Sequence, residues 1–166
     1  MTTTEQRDLL QTLDTHRSLF KRALDGMTDE QIAARPTVSE LCLGGIVKHL
    51  TAVERTWASF VVNGPRALTS MEEAVSQHRA NFQVGASDSL DSLLGEYDRA
   101  ARETDEVLER TQDLDADQAL PEAPWFEKGA RWTARRTFAH LIAETAQHAG
   151  HADIIRETID GAKTMG

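Results

Sequence analysis

Apolar residues in this chain recur at the three-to-four-residue spacing of helices, in four long runs separated by breakers. The first run spans about Thr4 to Leu24, with Leu9, Leu10, Leu13, Leu19, Phe20 and Leu24 in phase, and stops near Gly26. The second, Leu43 to Val62, carries Ile46, His49, Val53, Trp57 and Phe60 on one narrow stripe and ends at Asn63-Gly64-Pro65. Ser89 has the chemistry of an N-cap for a third helix that fades near Thr111. The fourth begins near Thr133 and ends before Gly161. No alternating strand-and-hairpin pattern accompanies them. Short helices are expected at Thr28–Pro36, where Thr28 and Gln31 have capping-box spacing, and at Ser70–Ala80. Four amphipathic helices with a long connection over 112–132 predict an all-α four-helix bundle, one domain over residues 1–166.

Charge narrows the partners. With 27 acidic against 18 basic residues the net charge is −9, which disfavours non-specific nucleic-acid binding. There is no apolar run of membrane-spanning length and no signal-peptide pattern at MTTTEQRDLL, so a cytoplasmic protein without membrane attachment is expected. The one cysteine, Cys42, rules out an intrachain disulfide and a cysteine-based zinc site, and small-residue packing is its expected role.

The run AHLIAETAQHAGHADIIRE, residues 139–157, carries the densest chemistry. At 100° per residue His140, Glu144, His148 and His151 fall within an arc of about 80°. Glu144 and His148 stand one turn apart and can reach a common metal ion. Imidazole nitrogen and carboxylate oxygen suit zinc, nickel, iron or manganese. His49 on the second helix is the candidate third ligand, although a histidine on an apolar stripe also reads as a core residue. A three-donor His/Glu/His set would leave coordination positions open, as catalytic sites do. The alternative for 139–157 is a partly exposed helix whose spare histidines bond carboxylates such as Asp153 or Glu54. His16 and His78 fall outside both clusters and suit the surface or packing.

Trp57, Trp125 and Trp132 serve either a pocket wall or the core. Arg131, Arg135 and Arg136 open the last helix, where positive charge opposes the helix dipole. That placement calls for an anionic partner: a ligand carboxylate or an internal Glu or Asp. Phosphate-binding glycine loops and nucleophile elbows are absent from the sequence.

The stretches GGIVKHLTAVERTW (44–57) and FAHLIAETAQHAGHADIIRETIDG (138–161) resemble the DinB-like superfamily of four-helix metal proteins, most closely its actinobacterial mycothiol-dependent branch. The likeness follows helix order over nearly the whole chain. It implies a bundle binding a divalent metal, commonly zinc, through His49, Glu144 and His148. It also implies a thiol S-transferase that uses mycothiol as co-substrate against electrophilic small molecules, as in detoxification. On that reading His151 and His140 support the ligands or move protons, and Trp57 and Arg135 contact the thiol co-substrate. Competing readings are metal-dependent hydrolysis and a non-catalytic, metal-braced stress module. A homodimer is compatible with the amphipathic helices.

Overall fold

The computed structural model describes residues 2–68 and 82–164; the expected helix at Ser70–Ala80 and His78 lie outside them. Five α-helices are present among the described residues: α1 (Thr4–Arg22), α2 (Asp29–Ala33), α3 (Leu43–Asn63), α4 (Leu90–Arg110) and α5 (Ala134–Asp160). The molecule is an all-α bundle, in which α3 packs against α4 and α5, and α1 packs against α5.

Local chemistry starts and stops these helices where the sequence indicates. Thr3 with Gln6, Thr28 with Gln31, and Ser89 with Ser92 close capping boxes at the first turns of α1, α2 and α4. The Thr133 side chain accepts from the Arg136 amide to open α5, and Gly161, at φ 78°, terminates it in the left-handed conformation.

The stripes meet in three apolar clusters. Phe20, Leu24, Ile46, Leu50, Tyr97 and Ile155 form the largest. Leu13, Leu108, Phe138 and Leu141 form a second, and Phe60, Leu120 and Trp132 a third. His49 and His148 lie buried among these clusters rather than at the bundle surface.

One expectation is corrected. A short antiparallel pair joins β1 (Asp117–Ala119) to β2 (Arg131–Thr133), with Gln118 opposite Trp132. Strands of three residues are too short to show a two-residue period, so the sequence carries no strand signal there. The pair folds the 112–132 connection back onto the bundle and delivers Trp132 to the wall beside α5.

A second feature concerns α3. A Cβ at Gly45 would stand 2.5 Å from the Phe82 carbonyl oxygen, and one at Gly44 would stand 2.8 Å from a Val84 methyl. Glycine at these positions lets the Phe82 backbone and the Val84 side chain pass this closely. The passage lays Phe82 over His49, ring stacked on ring at 4.4 Å between centroids.

Candidate metal centre

His49 projects from α3, and Glu144 and His148 project from successive turns of α5. Their nearest ligating atoms all lie within 4.8 Å of one another, and no other such trio occurs among the described residues. Glu144 Oε2 is the shared point, 3.4 Å from His49 Nε2 and 3.8 Å from His148 Nε2. Donors of a tetrahedral zinc site with bonds near 2.0–2.1 Å stand about 3.3 Å apart. Two of these separations approach that edge, so small side-chain rotations would close the set on an ion. Two imidazoles and one carboxylate are a donor chemistry that fits a divalent ion.

The site is buried on the histidine side and partly open at Glu144, whose side chain is 25% exposed. A hydrogen bond with His49 holds the Glu144 carboxyl below its usual range, against burial, which pushes it up; the neighbouring histidines assist.

The other two histidines of the 139–157 stretch approach the trio from outside. His151 Nδ1 lies 3.4 Å from His148 Nδ1, on the far edge of that ring from Glu144. His140 Nε2 lies 3.8 Å from Glu144 Oε1, the oxygen turned away from the ligand imidazoles. Burial lowers the His140 pKa; Glu144 opposes the shift and Arg136 adds to it. His140 is packed edge-on against Trp57 and Trp132 at 5.0 and 5.1 Å, and these two indoles stack on each other at 4.7 Å.

The tryptophans and arginines thus separate. Trp57 and Trp132 pack against His140, beside the trio, whereas Trp125 is 56% exposed. Trp132 also lines a groove of about 440 Å³ with Phe60, Val107, Arg110 and Thr137, and no member of the trio reaches it. Arg131 pairs with Asp117, and Arg135 pairs with Glu5 and Asp115, which is the internal-carboxylate alternative for both. Arg135 projects to roughly the opposite side of α5 from Glu144. Arg136, one residue on, lies over the Trp132 ring at 4.7 Å and is the arginine that faces His140. Asp153 accepts from the Thr164 amide, and Glu54 is engaged by Arg17, so neither carboxylate partners the spare histidines. Cys42 is buried and His16 half-buried.

Sequence reasoning missed Arg17 and Phe82 and gave Glu54 the wrong partner: Arg17 and Glu54 form a buried pair, and Phe82 covers His49. The signal for Arg17 was its phase: it falls on the α1 stripe between Leu13 and Phe20.

The chain matches, over residues 8–161, the family model described as Mycothiol-S-transferase. A comparison with curated proteins gives no match. Among solved structures, the crystal structure of a conserved protein from Enterococcus faecalis is similar, with a TM-score of 0.71 and 14% identity. The match covers 98% of this chain and 99% of that one. At that identity the likeness shows the fold alone. No described helix is long and apolar enough to cross a membrane.

Proposed function

The chain belongs to the mycothiol S-transferase family, and from that premise we propose a metal-dependent thiol S-transferase that joins mycothiol to electrophilic small molecules in detoxification. The observation that carries the proposal is the convergence of His49 Nε2, Glu144 Oε2 and His148 Nε2 from two helices onto one point. These three atoms would hold a divalent ion, zinc by donor type, with nickel, iron or manganese also suited. When bound, the ion supplies an open Lewis-acidic position that favours the thiolate over the thiol at neutral pH.

The remaining steps belong to the chain. Phe82 and the apolar clusters exclude water from the histidine side. Trp57 forms the wall along which the thiol co-substrate lies, and Arg136, rather than Arg135, brings positive charge to that wall. As sulfur bonds to the electrophilic carbon, that carbon's bond to its leaving group breaks and the group departs with the bonding pair, while the S–H proton needs an acceptor. His151, half-buried with Nδ1 against His148, fits that task through its second nitrogen.

Elemental analysis of the purified protein should find about one metal per chain, and electrophile consumption should require added mycothiol. His49→Ala and His148→Ala should lose both properties while keeping their helical content. Folded, metal-free variants that conjugate at the wild-type rate would overturn the mechanism. Turnover without any thiol would replace it with hydrolysis.

A further inference from the structure

The two oxygens of Glu144 face different partners. Oε2 is directed at the Nε2 atoms of His49 and His148, and Oε1 is directed at His140 Nε2, 3.8 Å away. A carboxylate free to rotate can chelate an ion through both oxygens and fill a coordination position that a substrate needs. A carboxylate whose outer oxygen is engaged cannot.

We infer that His140 is a positioning residue that holds Glu144 to one-oxygen coordination and thereby keeps a position of the metal centre open. This rests on the metal-binding reading above and goes beyond it, because it gives His140 one task, control of ligand geometry. The clamp around His140 supports the role. Its ring centre and those of Trp57 and Trp132 form a nearly equilateral triangle, with sides of 4.7, 5.0 and 5.1 Å. His140 meets both indoles edge-on, at 78° and 66°. That arrangement restricts the imidazole's rotation, so its Nε2 stays aimed along the helix toward Glu144. Trp132 is fixed in turn by its place in β2, opposite Gln118, and by Arg136 over its ring. The long 112–132 connection thus acquires a purpose: it carries the second wall of the clamp. A contact of 3.8 Å needs to shorten by about 1 Å to become a hydrogen bond. Drawing Oε2 toward an ion turns the same carboxylate about its own axis and permits that adjustment.

Cobalt(II) is the probe, because its visible absorption weakens as its coordination number rises. Wild-type protein should bind cobalt with the strong visible band of low coordination. His140→Phe keeps an aromatic ring between the tryptophans but removes the N–H. It should bind cobalt about tenfold or more weakly and show a weaker band as Glu144 becomes bidentate. His140→Gln restores an N–H donor and should recover most of both. His140→Ala serves as a second donor-free variant, and the thermal transition of each metal-free protein checks that it folds. Wild-type affinity and spectrum in folded His140→Phe and His140→Ala would overturn the inference. Failure of His140→Gln to recover either property, with His140→Phe impaired, would also overturn it, by showing that ring shape rather than the N–H matters. Wild-type protein that takes up no cobalt would overturn the metal reading itself, which is a different result from unchanged binding in the variants.

Discussion

Five residues apart on α3, His49 and Glu54 enter two buried polar clusters built on opposite logic. Glu54 is completely enclosed and receives Arg17 through both oxygens, at 2.8 and 2.6 Å, while Asp105 takes a third guanidinium N–H at 2.8 Å. Burial works against the charge on Arg17, but the bonds to Glu54 and then Asp105 outweigh it and raise its pKa. Every charge there has a partner within the protein, and the cluster ties α1, α3 and α4 together. In the His49 cluster the contacts are longer: Glu144 Oε2 stands 3.4 Å from His49 Nε2 and 3.8 Å from His148 Nε2, and the three ligating atoms converge. A polar cluster whose donors match its acceptors braces the fold; one whose acceptors converge is arranged to receive something.

The sharpest way to break this contrast is to remove one member of each cluster. Glu54→Gln or Arg17→Met should destabilise the protein by about 3–5 kcal/mol in urea titrations, because the surviving charge remains buried without its partner. The metal-free Glu144→Gln protein should lose less than about 1 kcal/mol, since a partly exposed amide can still meet His49. Metal uptake should follow the reverse order, retained in folded Arg17→Met and lost in Glu144→Gln. Equal stability losses in the two clusters would mean that both are structural.

Next in size is the effect of the ion. A ligand at one hundred times its dissociation constant adds about 2.7 kcal/mol to the native state. Zinc should therefore raise the unfolding midpoint of wild-type protein and a chelator should reverse it. His49→Ala should show neither response, and Arg17→Met should keep both from its lower baseline. A zinc-dependent midpoint in His49→Ala would place the binding elsewhere.

How legible these clusters were differs for a physical reason. The bundle was readable because helix periodicity and caps are local: Thr3, Thr28, Ser89 and Thr133 act on their own first turns. Half of the candidate centre was local too, since Glu144 and His148 share a helix face by spacing alone. His49 was a candidate from its stripe and the resemblance selected it, because a histidine on an apolar stripe does not by itself reveal what it faces. Which of Arg135 and Arg136 approaches the site depends on helix phase against a wall that β2 supplies, and three-residue strands leave no periodic trace. Arg17 and Glu54 each interrupt an apolar stripe, but only the docking of α1 on α3 pairs them. Phe82 reaches His49 through a close approach of its backbone at Gly45, a tertiary event with no pattern of its own.

Asp105 offers a finer test within the bracing cluster. Its side chain is 38% exposed, unlike those of Arg17 and Glu54 at 5% and 0%. Water can replace it on the guanidinium, so Asp105→Asn should lower stability by about 1 kcal/mol or less, and not at all if screening is complete. A loss as large as that of Glu54→Gln would show that the cluster acts as an indivisible triad.

The smallest expected effect is a change of slope with pH in the metal-free protein, and it separates the two oxygens of Glu144. The folded His140 pKa lies below the ordinary 6.5, chiefly through burial. The unfolded chain therefore takes up that proton first, and stability falls as pH drops from above 6.5 through the folded value. The folded Glu144 pKa lies below 4.5, first through the bond with His49. Its contribution is present above 4.5 and disappears as pH falls through the lower folded value. His140→Gln should flatten the upper window, and the lower one more weakly because His140 helps hold the Glu144 pKa down, in urea midpoints measured against pH. Glu144→Gln should flatten the lower one and steepen the upper, because it removes the charge that holds the His140 pKa up against burial. Independent windows, with Glu144→Gln leaving the upper slope untouched, would mean that His140 and the outer oxygen of Glu144 do not sense each other, and the clamp would lose its electrostatic basis.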